Sequence, residues 1–289
     1  MNRICASVIG GTVFTKNYTH DTNRTQHVYR VYIRIINMKV ITVSNQKGGV
    51  AKSTTAMALS AGLRYANHRV LAIDLDAQGN LSHSLNADMS SPSILDVLTR
   101  TNDISSAIQA QKSCDIIPSS RNLGSADLVI NQTGKEYRLK EALSSITDDY
   151  DYVIIDTPPA LGILTINALT ACDDIIIPAQ ADMYSMQGIT QVVESVQAVR
   201  QYCNPKIRIA GILLTRFNAQ TVLSREIADQ LEKAAPQFGT HVFKTRIRES
   251  IAIKESQARR QDMYAYDMDC NGAKDYLTFL SEYYEDEHE

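Results

Sequence analysis

The sequence predicts an α/β fold: a doubly wound, mainly parallel sheet with helices on both faces. Three observations carry this. Short runs of Val, Ile and Leu recur along the chain, as expected of strands buried on both faces. Stretches with helical spacing of apolar residues alternate with them, which implies right-handed crossovers. Three polar turns rich in Gly, Lys or Asp each follow one of these runs, where a parallel sheet presents its ligand crevice.

Residues 1–37 read as an extension outside this fold. They are rich in Thr, Asn and Tyr, and carry Arg3, Lys16, Arg24, Arg30 and Arg34 against Asp21 alone. Met38 directly precedes the first strong strand, 39–44. Translation beginning at Met38, a disordered basic arm, and an extra hairpin using the strand-like stretch 28–36 all fit these residues. From 38 onward strands and helices alternate, less regularly over 77–150. A helix is expected at 53–65, a strand at 69–74, and short helices at 93–98 and 136–143 flanking a strand at 115–118. Buried strands follow at 152–156, 174–178 and 207–214, with helices at 164–171, 185–202 and 224–233 and a last strand at 242–245. The fold thus spans 38–281, and 282–289 reads as a frayed acidic tail.

Composition narrows the class. The 289 residues are 44% hydrophobic and 21% charged, ordinary for one globular domain. A net charge of −3 gives no general attraction to polyanions, so any nucleic-acid contact needs a local basic patch. The five scattered cysteines form no C-x-x-C pair, which argues against a metal or disulfide framework and for a cytoplasmic setting. No apolar run approaches the roughly 18 residues that span a bilayer.

The most informative stretch is Asn45-Gln46-Lys47-Gly48-Gly49-Val50-Ala51-Lys52-Ser53-Thr54, at a strand-to-helix handover. Glycines there let backbone N–H groups cradle phosphate oxygens. A lysine before Ser or Thr reaches terminal phosphates, and the hydroxyl suits Mg²⁺. Gln46 and Ala51 stand where the general pattern has glycine, and a methyl at Ala51 calls for a negative φ. The second strand ends in Asp74-Leu75-Asp76-Ala77-Gln78-Gly79-Asn80, whose two carboxylates alternate onto one side of an extended chain. A capped turn is the plainer reading of that segment. Tyr152-Val153-Ile154-Ile155-Asp156-Thr157-Pro158-Pro159 describes a buried strand delivering a carboxylate to its edge.

Lys-Gly-Gly-x-x-Lys-Ser resembles the deviant Walker A box of the ParA/MinD superfamily of P-loop ATPases, closest to the ParA-type DNA partition proteins. The other two motifs arrive in that family's order, and the segment from Pro178 to Gly188 is similar to its interface loop and helix. The likeness covers about residues 38–280. It implies ATP and Mg²⁺ as cofactors, bound by the loop from Lys47 through Gly48, Gly49, Val50, Ala51, Lys52, Ser53 and Thr54. It further implies that Lys47 reaches across an ATP-dependent homodimer, that Lys52 holds the β- and γ-phosphates, and that Ser53 and Asp156 hold Mg²⁺ with support from Asp74. Asp76 would orient the attacking water.

The cargo is read from charge. Residues 244–261 hold six basic residues against Glu249 and Glu255. By resemblance, Lys244, Arg246, Arg248 and Lys254, with Arg225 upstream, would contact DNA backbone without sequence preference. A solvated face with its own ion pairs, such as Lys254 with a nearby glutamate, fits the same residues. The implied partners are non-specific DNA and a ParB-like centromere-binding protein, with nucleoid association and no membrane. A MinD-like membrane ATPase needs a basic amphipathic C-terminal helix, whereas this chain ends acidic. A cluster carrier needs ligating cysteine motifs that are absent. A DNA-binding regulator with negligible turnover stays open because of Ala51.

Overall fold

Val, Ile and Leu runs become seven strands of one all-parallel sheet in the computed structural model, which describes residues 5–9, 12–16, 29–32, 38–90 and 92–288. Three short strands come first: β1 (Cys5–Ile9), β2 (Thr12–Lys16) and β3 (Tyr29–Tyr32), paired antiparallel in that order. The rest of 1–37, where the expected arm or untranslated leader falls, lies outside the described residues. The main sheet contains β4 (Lys39–Val43), β5 (Val70–Asp74), β6 (Asp115–Ile117), β7 (Tyr152–Asp156), β8 (Asp174–Gln180), β9 (Arg208–Phe217) and β10 (Val242–Arg248). Its spatial order is β10-β9-β8-β4-β7-β5-β6.

The helices between them are α1 (Lys52–Tyr65), α2 (Asn80–Ser84), α3 (Ile94–Leu98), α4 (Ile104–Ala107), α5 (Ala126–Val129), α6 (Arg138–Leu143), α7 (Ile163–Ala171), α8 (Ser185–Tyr202), α9 (Val222–Ala234), α10 (Ile251–Ala258), α11 (Met263–Asp267) and α12 (Asn271–His288). Both sheet faces are covered, as the sequence predicts. In β7, Tyr152 and Ile154 pack into the cluster with α1, α11 and α12. Val153 and Ile155 pack into the opposite cluster with α6, α7, α8 and α9. The two-residue period of a strand divides them.

Register sets up the site. Asp74, the last residue of β5, pairs with Asp156, the last of β7, and Asp156 also pairs with Val43, the last of β4. Three strand tips, each followed by a polar turn, therefore stand side by side at one edge.

The C-terminal end differs from the expected frayed tail. Helix α12 continues past 282 because its apolar face is engaged: Tyr276, Phe279, Leu280 and Tyr283 are all buried, at helical spacing. The Tyr283 hydroxyl donates to Asp174 at 2.7 Å, and Glu282 accepts from the backbone N–H groups of Lys244 and Thr245 at 2.6 and 2.8 Å. Glu282 thus lies on a packed helix and braces β10.

Candidate functional site

The loop after β4 and the start of α1 line a cavity of about 500 Å³. Gly48, Gly49, Ala51, Lys52, Ser53 and Thr54 form its floor; Asp76 and Pro159 enter from the loops after β5 and β7. All three sequence motifs therefore converge on one space. Val50 points away and is buried, its carbonyl accepting from the Thr215 hydroxyl at 3.1 Å.

Ala51 corrects the expectation of a negative φ. It sits at φ 67° and ψ 32°, in the left-handed region, immediately before α1. Its carbonyl accepts the Thr55 N–H at 2.9 Å, opening the helix. The loop must reverse there for the N–H groups of the first helical turn to face the cavity, and that demand overrides the preference of an L-residue.

Lys52 is almost wholly buried, and its ammonium donates to the Lys47 carbonyl at 3.1 Å, across the loop. Burial pushes its pKa below the usual lysine value, while Asp156 and Asp76 pull it back up. Asp156 is completely buried, and neither carboxylate oxygen has a hydrogen-bond partner among the described residues. Burial and then the neighbouring Asp74 raise its pKa well above the ordinary carboxylate value; the nearby Ser53 hydroxyl and Lys52 ammonium oppose the rise. A buried carboxylate with no partner is costly unless a cation meets it. Mg²⁺ is held in such sites by one or two carboxylates together with phosphate oxygens and water, so Asp156 with Ser53 fits that ion.

Asp74 is equally buried but differently employed. Its oxygens accept from the Ser82 N–H at 2.8 Å, the Ser82 hydroxyl at 2.7 Å and the Asp76 N–H at 3.1 Å. Burial nonetheless pushes it up to about 6. It shapes the loop that presents Asp76. Asp76 is half-buried and lines the cavity, one oxygen accepting the Gln78 N–H at 3.0 Å.

Lys47 extends sideways. Its ammonium pairs with Asp182 of its own chain and lies 5.9 Å from the centre of the Tyr184 ring. Asn45 steadies this corner, accepting the Lys47 N–H at 2.9 Å and donating to the Pro178 carbonyl at 2.8 Å. Gly188 in α8 packs directly on Asn45: a Cβ there would lie 2.8 Å from the Asn45 carboxamide oxygen.

Sequence reasoning missed Arg216, Gln257 and Ala258, which line the same cavity from the end of β9 and from α10. Gln257 donates to the Thr54 hydroxyl at 3.0 Å. Nothing local marks them, since their place depends on how the last third of the chain folds back.

None of the expected DNA-contacting residues lines the nucleotide cavity, although Arg248 and Lys254 line a small adjoining cavity with Ala51 and Thr54. Arg246 pairs with Glu232 at 2.7 Å and stacks 4.6 Å from the centre of Phe217. Arg248 pairs with Asp275 at 2.6 Å, and Lys254 with Glu249 at 2.7 Å. Arg225 donates to the Ala219 carbonyl at 2.7 Å, and Lys244 is exposed with no ion pair among the described residues.

Residues 38–209 match the sequence family described as an AAA domain. The sporulation initiation inhibitor protein Soj of Bacillus subtilis is 36% identical over 249 residues, covering 84% of this chain and 97% of Soj. The chromosome partitioning protein ParA of Myxococcus xanthus is 33% identical over 244 residues, covering 83% of this chain and 85% of its own. A solved structure from Mycobacterium smegmatis, named cobyrinic acid a,c-diamide synthase and holding an ATP analogue and magnesium, matches with a TM-score of 0.74 and 33% identity over 84% of this chain and 93% of that one. Apo McdA of Cyanothece matches with a TM-score of 0.77 and 25% identity over 86% and 99%.

Proposed function

The chain belongs to the ParA/MinD superfamily of P-loop ATPases, with ATP and Mg²⁺ as cofactors, and from that premise we propose that it is a DNA partition ATPase whose nucleotide-dependent pairing moves a plasmid, chromosome or mobile element. The observation that carries the reading is the convergence of the phosphate loop, Asp76 and Pro159 on one cavity beside the unpartnered carboxylate of Asp156.

Phosphoryl transfer needs positioning and charge neutralisation more than covalent chemistry. The N–H groups at the start of α1 and the Lys52 ammonium hold the phosphates. Mg²⁺ would supply positive charge to offset the charge that develops in phosphoryl transfer. Ser53 and Asp156 hold that ion, and Asp76 aligns a water toward the terminal phosphate. Lys47 completes the site of a second copy, so turnover waits for pairing. Its bond to Asp182 must break first, which keeps a lone chain slow. DNA and a ParB-like protein stimulate the paired form.

Turnover separates the roles of the two lysines. Lys52→Ala should abolish ATP binding, whereas Lys47→Ala should leave nucleotide binding by the single chain intact and reduce hydrolysis to background. Wild-type hydrolysis by Lys47→Ala overturns the cross-subunit role; Mg²⁺-independent ATP affinity overturns the site.

A further inference from the structure

Arg216 holds a backbone conformation that an arginine rarely adopts. It lies within β9 at φ 49°, in the left-handed region where Cβ crowds a carbonyl oxygen. The cause is a bulge. Arg246 of β10 pairs with Leu214, and Arg248 with Phe217, so Thr215 and Arg216 stand against Ile247 alone. Such a two-against-one step bends a strand and re-aims a side chain, and it recurs beside ligand sites. Here it carries Arg216 to the wall of the nucleotide cavity. The step is anchored there: Thr215 is buried, and its hydroxyl donates to the Val50 carbonyl of the phosphate loop at 3.1 Å.

The guanidinium so placed is uncommitted. Arg216 is exposed and makes no hydrogen bond or ion pair among the described residues. Lys254, paired with Glu249 at 2.7 Å, holds that carboxyl below its usual range, and Arg216 adds only a weaker pull. Arg216 also belongs to one end of the cavity. With Ala51, Thr54 and Gln257 it lines both this space and the adjoining one of about 40 Å³, which Lys52, Ser53, Asp76 and Pro159 do not line. A ligand whose terminal phosphate meets Lys52 and Ser53 under Asp76 therefore runs its remaining length past Thr54 and Arg216. Gln257 donates to the Thr54 hydroxyl at 3.0 Å, which leaves that hydroxyl's own proton for a phosphate oxygen.

We infer that Arg216 is a nucleotide-binding residue, whose guanidinium meets the α-phosphate beside the Thr54 hydroxyl. The inference rests on the nucleotide reading of the cavity proposed above. A guanidinium offers parallel N–H donors that match a phosphate group in bidentate fashion. Strain of the kind seen at φ 49° persists where the surroundings over-determine it, and the anchored bulge does so here in the course of presenting one cation to the ligand.

Displacement of a fluorescent nucleotide from the full chain by a non-hydrolysable ATP analogue and by ADP, each with Mg²⁺, tests this. Arg216→Gln and Arg216→Gly should each weaken both nucleotides by about tenfold, and by the same factor within about twofold. Glycine accepts a positive φ without strain, so a loss in Arg216→Gly reports the missing guanidinium and not a disturbed strand. The ratio of wild-type to variant affinity should shrink as salt rises from about 0.05 M to about 0.5 M, because the lost contact is between charges. Wild-type affinity in both variants overturns the role of Arg216 alone. A loss confined to the ATP analogue moves the side chain to the terminal phosphate, and a ratio indifferent to salt moves it to the base; either overturns the α-phosphate contact. A wild-type chain without Mg²⁺-dependent affinity for either nucleotide overturns both this contact and the nucleotide reading beneath it.

Discussion

Ala51 holds a backbone position that glycine adopts freely and alanine does not. At φ 67° its methyl crowds the following carbonyl, at a cost of about 1–2 kcal/mol. Ala51→Gly removes that strain but makes the unfolded chain more flexible, which returns about 0.4–1 kcal/mol. A net gain of roughly 1 kcal/mol in unfolding free energy should appear in urea titration of the apo protein, and an unchanged or lower midpoint would contradict the strained geometry. Asp156 makes the opposite kind of prediction, one that depends on pH. Its folded pKa is raised, so its contribution to stability is complete below the ordinary carboxylate value and is lost as pH rises through the folded value. An asparagine has no such loss. Asp156→Asn should therefore melt close to the wild type near about pH 4 and above it near about pH 8, while losing Mg²⁺-dependent ATP affinity. A gap that narrows with rising pH would contradict the buried, unpartnered carboxylate. These residues were largely legible beforehand because each motif follows its own strand within a few positions. The sign of φ at Ala51 was not: steric preference is local, but the reversal is imposed by the helix start and by strand tips far away in sequence.

Helix α8 shows how an element fixes the loop it never joins in sequence. Gly188 lies in its first turns against Asn45, and Asn45 is locked by the Lys47 N–H on one side and the Pro178 carbonyl on the other. Alanine is the better helix former by about 1 kcal/mol, which favours Gly188→Ala. The added methyl would nevertheless meet the Asn45 oxygen at 2.8 Å, so Asn45 must shift and release Lys47. The two effects separate experimentally. Gly188→Ala should keep its melting temperature within a few degrees of the wild type but lose about tenfold in ATP affinity, measured by fluorescent-nucleotide displacement. Unaltered affinity would mean that α8 only covers the loop. The strands and long helices could be read ahead of the structure because Val and Ile runs and 3.6-residue spacing are strong signals. Helices α10, α11 and α12 were harder. Their buried apolar positions include Ile253, Met263, Tyr264, Tyr276, Phe279, Leu280 and Tyr283, interleaved with charged and polar residues. Only packing on α1 and β10 shows which of them form one face.

At the scale of the whole molecule, the DNA-binding reading asks an acidic chain to hold DNA, and the ion pairs decide which cations are available. Arg246, Arg248 and Lys254 are each engaged by a carboxylate of the same chain. The more exposed Arg246–Glu232 and Lys254–Glu249 pairs contribute about 0–1 kcal/mol, so DNA phosphates can compete for them, whereas Asp275 holds Arg248 through two bonds from the guanidinium. Lys244 and Arg225 face no such competition. Each phosphate contact by a Lys or Arg steepens the salt dependence of binding by about one unit on a log–log plot. Under the DNA-binding reading, Lys244→Gln and Arg225→Gln should each weaken ATP- and Mg²⁺-dependent retention on random-sequence DNA and lower that slope by about one. Arg248→Gln should change the slope less, because the Arg248 guanidinium is already held by Asp275 and is not free to meet a phosphate. Measuring retention at several salt concentrations, with basal ATP turnover in the absence of DNA unchanged in every variant, distinguishes a DNA-contacting surface from a self-paired one. Equal slopes for all three variants and the wild type would remove this face from the DNA contact and send the search to the other basic residues near it, Arg259 and Arg260.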